Sequence, residues 1–174
     1  MGSEWISLNG GREFCCRTFS WPSSTRAELL AIYTALLTVP CNRSVVIKTD
    51  SQAAIDGIHK SSGFINNYQW TNVTNHTLLH NISHITKCKS LSVDYVKVKG
   101  HSGLEGNDLA DDLANTGRTR GQTFDANISI FPEATYSPFW NGYLIETPIR
   151  KFIKDLNQTA HQAEWLINRP IRDF

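Results

Sequence analysis

Val45-Val46-Ile47-Lys48-Thr49 is a short β-branched run that stops at Asp50, and helical spacing resumes at once over residues 51–59. A run of this kind is expected of a buried strand. A second, alternating run over 91–98 predicts another strand. Around these two, apolar residues recur at helical spacing. Leu29, Ile32, Tyr33, Leu36 and Leu37 define a helix over 26–39 that Pro40 terminates. Val73, Leu78, Leu79, Ile82 and Ile85 define a single helix over 68–86. At the front, 4–8 and 12–19 flank Asn9-Gly10-Gly11, a hairpin signal built on residues that tolerate positive φ. Ser or Thr within 23–25 can cap the helix that follows. A further helix is predicted over 105–117, opened by Gly100-His101-Ser102-Gly103. The order β-β-α-β-α-α-β-α is an α/β layout with a mixed sheet flanked by helices.

A chain of 174 residues holds one domain, or one domain with an extension. The texture changes near residue 119, where Pro132, Pro138 and Pro148 begin to punctuate short runs. The division is therefore a domain over 1–118 and an extension over 119–174. The extension ends in a helix over 149–166 whose Ile149, Phe152, Ile153, Leu156 and Trp165 suit an amphipathic face, docked on the domain or on a partner. With 17 basic and 16 acidic residues, charge alone does not point to nucleic acid. Cys15, Cys16, Cys41 and Cys88 include a vicinal pair and no Cys-x-x-Cys, and read as buried thiols in a reducing compartment. No secretory signal and no membrane-length apolar run is visible, so the chain reads as intracellular, cytoplasmic or nuclear.

Three segments carry candidate chemistry. Arg26-Ala27-Glu28-Leu29 places Glu28 in the first turn of a helix. Asp50 ends a strand, where open α/β sheets gather their ligands. Gly100-His101-Ser102-Gly103-Leu104-Glu105-Gly106-Asn107-Asp108-Leu109-Ala110-Asp111 sets a histidine loop before Asp111. Clustered carboxylates repel one another unless hard divalent cations sit among their oxygens. Two such ions can activate water and stabilise a leaving oxygen in phosphodiester hydrolysis. Each residue also has a plainer explanation. Glu28 could complement a helix dipole, Asp50 could cap a helix, Asp111 could lie on a solvated face, and His101 could be an exposed loop residue.

Taken together, Thr25-Arg26-Ala27-Glu28-Leu29, Thr49-Asp50-Ser51-Gln52 and the 100–111 motif resemble the ribonuclease H family, both cellular type-1 enzymes and domains of retroelement reverse transcriptases. The resemblance spans residues 4–117. It implies a ribonuclease H-like fold that binds RNA–DNA hybrids and cleaves the RNA strand with Mg²⁺ or Mn²⁺. It further implies that Glu28, Asp50 and Asp111 are metal-binding carboxylates and His101 the flexible-loop histidine. Thr25, Arg26, Ser51, Gln52 and Asn107 fall where family members contact the hybrid.

The family pattern begins with a strand ending in Asp-Gly-Ser or similar, whereas no Asp precedes Asp50 here. The domain is thus expected to be incomplete at its N-terminus, with a weakened two-ion site and weak or no cleavage. The missing central strand would leave a slot between the hairpin and the 45–49 strand. A strand from the tail (127–131 or 143–147), from another copy or from a partner chain is expected to fill it. A non-catalytic binding or interaction remnant, or a nuclease acting on another nucleic acid, are the competing functions. Trp70 reads as core, not as a stacking platform.

Overall fold

The computed structural model describes residues 2–8, 11–18, 21, 23–99, 123–124 and 138–167. Strands β1 (Gly2–Ile6) and β2 (Glu13–Thr18) form the expected antiparallel hairpin, with Trp5 opposite Phe14. Their rings stack at 6.2 Å. Helix α1 (Ser24–Thr38) follows, capped by Ser23, whose Oγ accepts from the Arg26 backbone N–H at 3.1 Å. Then come β3 (Ser44–Thr49), α2 (Gln52–Ser61), α3 (Asn67–Thr71), α4 (His76–Cys88) and β4 (Ser92–Lys97). β3 and β4 pair in parallel, Ser44 with Ser92 through Thr49 with Lys97. Together the antiparallel and parallel ladders make a mixed α/β fold, as the element order requires.

Helix α1 is the centre of the packing. Consecutive residues from Leu29 to Thr34 are all buried, so this helix is covered on every side. Leu29, Leu36, Leu78 and Ile82 are almost fully enclosed where α1 meets α4. Each such side chain contributes roughly 1.5–3 kcal/mol through burial. Val45 and Ile47 of β3, Val93 and Tyr95 of β4, and Phe14 of β2 pack against the same cluster. Buried polar groups on α1 are satisfied. Thr34 Oγ1 donates to the Leu30 carbonyl at 2.9 Å and accepts from Trp5 Nε1 at 3.1 Å. The Lys89 ammonium donates to the carbonyls of Leu36, Leu37 and Val39, closing the C-terminus of α1 where the dipole favours a cation. Trp70 is core, edge-on to Phe64 at 5.1 Å.

Four expectations need correction. The single helix over 68–86 is two, because Asn75 adopts a left-handed backbone (φ 59°) that an α-helix cannot contain. Its apolar spacing is real, but only the α4 half winds continuously. β3 is not buried on both faces: Val46 is 57% exposed while Val45 and Ile47 pack inward. Two of the four cysteines, Cys41 and Cys88, are exposed, although Cys16 is buried and its thiol pKa is pushed up to about 11 by that burial. The 143–147 stretch does not join β1 or β3. Instead β6 (Phe139–Trp140) and β7 (Tyr143–Leu144) form their own hairpin through Asn141 and Gly142, both at positive φ. The other tail candidate, 127–131, and the helix over 105–117 lie outside the described residues.

The extension touches the domain at two further places. β5 (Thr123–Phe124) adds in parallel to the outer edge of β2. Helix α5 (Ile149–Ile167) matches the expected amphipathic helix. Only its Phe152 is half-buried, edge-on to Trp21 and Trp140, each at 5.9 Å. Among the described residues, β1 forms a ladder only with β2, and β3 only with β4.

Candidate active site

Thr49 brings Glu28 to the end of β3, where Asp50 follows in the chain. The hydroxyl of this buried last residue of β3 donates to Glu28 Oε2 at 2.8 Å and accepts the Ser51 backbone N–H at 3.1 Å. One side chain thus ties the end of β3 to α1 and sets the turn on which Asp50 sits. Asp50 itself is exposed, and its carbonyl accepts from the Lys97 ammonium at the end of β4.

The plainer explanations for these two acids lose ground. The cap of α2 is Ser51, whose Oγ accepts from the Ala54 N–H at 3.3 Å, so Asp50 is not a helix cap. Helix α1 begins at Ser24 and has no acidic residue in its first turn. Glu28 therefore stands beyond that turn, contrary to the sequence expectation, and the dipole effect has largely decayed there. As donors, two carboxylates at a strand end suit a hard, oxygen-seeking cation. Asp111, His101 and Asn107 lie outside the described residues. Of the other residues implied to contact nucleic acid, Thr25 and Ser51 are half-buried, while Gln52 is exposed and donates to Asp56 Oδ1 at 2.8 Å.

Arg26 has a different setting. Its Nη1 donates to Glu146 Oε1 at 2.9 Å, with both side chains buried. Glu146 Oε2 accepts the Thr77 backbone N–H at 3.2 Å, and the Glu146 carbonyl accepts the Asn75 N–H at 2.8 Å. His76 Nδ1 lies 3.6 Å from Glu146 Oε2. Asn75 provides no side-chain cap for α4, so a carboxylate from the extension closes that helix end. Burial lowers the His76 pKa from its ordinary value, against the opposing pull of Glu146. Trp21 Nε1 donates to the Leu144 carbonyl beside this clasp. The sequence marks 143–147 as a candidate strand and leaves the partner of its Glu146 open. The available signal was a lone Glu in the apolar stretch Tyr143-Leu144-Ile145.

No helix among the described residues is long and apolar enough to cross a membrane. Comparison with known proteins finds that the family profile for RNase H matches residues 7–119. A protein named Ribonuclease H from Alcanivorax borkumensis is 34% identical over 100 residues, covering 55% of this chain and 65% of that protein. The match therefore spans just under two thirds of that relative's length. With the family profile covering more than half of the chain, and a mixed α/β fold that sets Glu28 beside the strand end bearing Asp50, the chain belongs to the RNase H family.

Proposed function

We propose that this chain is a retroelement-type ribonuclease H domain that binds RNA–DNA hybrids and hydrolyses the RNA strand with Mg²⁺ or Mn²⁺. The observation that carries the reading is the Thr49 bridge, which holds the Glu28 carboxylate at the strand end where Asp50 stands. In this reading Glu28, Asp50 and Asp111 hold the cations, which when bound supply an activated water and a stabilised leaving oxygen. His101 moves a proton at the reacting phosphate or assists product release. Thr25, Ser51, Gln52 and Asn107 position the hybrid by its backbone and 2′-hydroxyls, the features that separate RNA from DNA.

A second reading, a nucleic-acid-binding or interaction module without cleavage, is favoured by one observation. Arg26, which family members turn toward the hybrid, is committed here to Glu146. A strand supplied between β1 and β3, by residues 127–131, another copy or a partner chain, belongs to either reading. What supports it is that both ladders pack on one core and yet β1 and β3 share no ladder among the described residues.

The test is incubation of the chain with a labelled RNA–DNA hybrid and Mn²⁺, beside Asp50→Asn. RNA cleavage that disappears in the variant establishes the enzyme. Hybrid binding without cleavage selects the module, and neither binding nor cleavage removes both readings.

A further inference from the structure

Helix α5 carries an apolar stripe that is exposed among the described residues. Ile149, Ile153, Leu156, Ala160, Ala163 and Ile167 recur at alternating intervals of four and three, the spacing of a coiled-coil seam. All six are exposed, Ile149 at 42%, Ile153 at 48% and Ile167 at 81%. Phe152, which packs edge-on against Trp21 and Trp140, lies at the edge of this stripe. Nineteen residues give a seam about 28 Å long, enough for more than two heptads.

We propose that this stripe is a self-association surface on which α5 of a second copy of the chain packs in antiparallel orientation. The residues are complementary to themselves when one helix is reversed. Ile149 then meets Ile167 of the second copy, Ile153 meets Ala163, and Leu156 meets Ala160. Two of these three layers set a large side chain against a small one, which lets the layers interdigitate. Charge selects the same orientation. The first half of the helix is net basic, with Arg150, Lys151 and Lys154 against Asp155, and the second half carries Glu164. Arg150 and Glu164 flank the seam on the same side, seven-residue multiples apart. Reversal brings each beside the other's counterpart, whereas a parallel pair would set the basic halves together.

The experiment is sedimentation equilibrium of the full chain over a concentration series. The weight-average mass is expected to rise from 19.6 kDa toward twice that value. Leu156→Asp should hold the chain at the monomer mass with its far-UV dichroism retained. Arg150→Glu and Glu164→Arg should each weaken association about two- to five-fold, and the double reversal should restore it. A chain that stays monomeric at every concentration overturns the proposal. So does association that Leu156→Asp leaves unchanged, a double reversal no better than the single ones, or a monomer that partitions onto anionic vesicles through this helix.

Discussion

Arg26 and Glu28 stand two positions apart on α1 and so face different sides of it. The first is sealed: its guanidinium meets Glu146, and that carboxylate also closes the start of α4. The second is half-buried at the end of β3, where Thr49 donates to its carboxylate, next to an exposed Asp50. The difference separates two uses of charge. A buried pair with every oxygen engaged resists removal of one partner but is weak evidence of net stabilisation, since desolvation offsets its attraction. An exposed carboxylate at a strand end, as Asp50 is, gains little for the fold and remains available to a cation or substrate.

Removing the clasp should produce the largest loss. Glu146→Ala leaves the Arg26 charge buried without its partner and opens the α4 end, and is expected to cost about 3–5 kcal/mol, read from denaturant unfolding. A loss under about 1 kcal/mol would mean that Arg26 finds water, and that the contrast between the two sites is one of degree. At the open site the effects should reverse. Asp50→Asn should alter stability by no more than about 0.5 kcal/mol while reducing hybrid cleavage by at least about 100-fold, more than is usual for groups that merely orient metal ligands. Unfolding midpoints and initial rates on one preparation check both halves of that statement.

Ser23→Ala removes the hydrogen bond that caps the helix bearing both residues, and should cost about 1 kcal/mol, shifting the unfolding midpoint without a change in cofactor requirement. The smallest effect is one of pH. His76 has its pKa lowered in the folded chain by burial, with Glu146 and Arg26 as the charges facing it. The unfolded chain therefore takes up a proton, near the ordinary value of 6.5, that the folded chain refuses. Stability from this residue is present above that pH and is lost as pH falls through it toward the lowered folded value. The unfolding temperature should decline over that interval in the parent chain and decline less in His76→Gln. An identical decline in both would assign the acid sensitivity to other groups.

Much of this is legible in the amino-acid order. The hairpin, α1, β3, α2, β4 and α5 follow from local spacing, because a period of two or of 3.6 directly reports which residues share a face. The position of Asp50 at the end of a strand was legible for the same reason, whereas Glu28 lies one turn deeper in α1 than its sequence suggests. The break between α3 and α4 was not, because apolar spacing runs through the non-helical residues 72–75, which end in the left-handed Asn75. Nor was the half-exposure of β3, since a β-branched run reads alike whether one face or both are covered.

The amino-acid order alone determined the element types, the α/β class and the place of Asp50 at a strand end, properties set by the spacing of neighbouring residues. Only the tertiary structure decided that Thr49 would join Glu28 to the Asp50 turn, and that Arg26 would meet Glu146 across 120 positions. Such contacts form where packing removes water from two distant groups at once, and no local pattern records which distant group will be there.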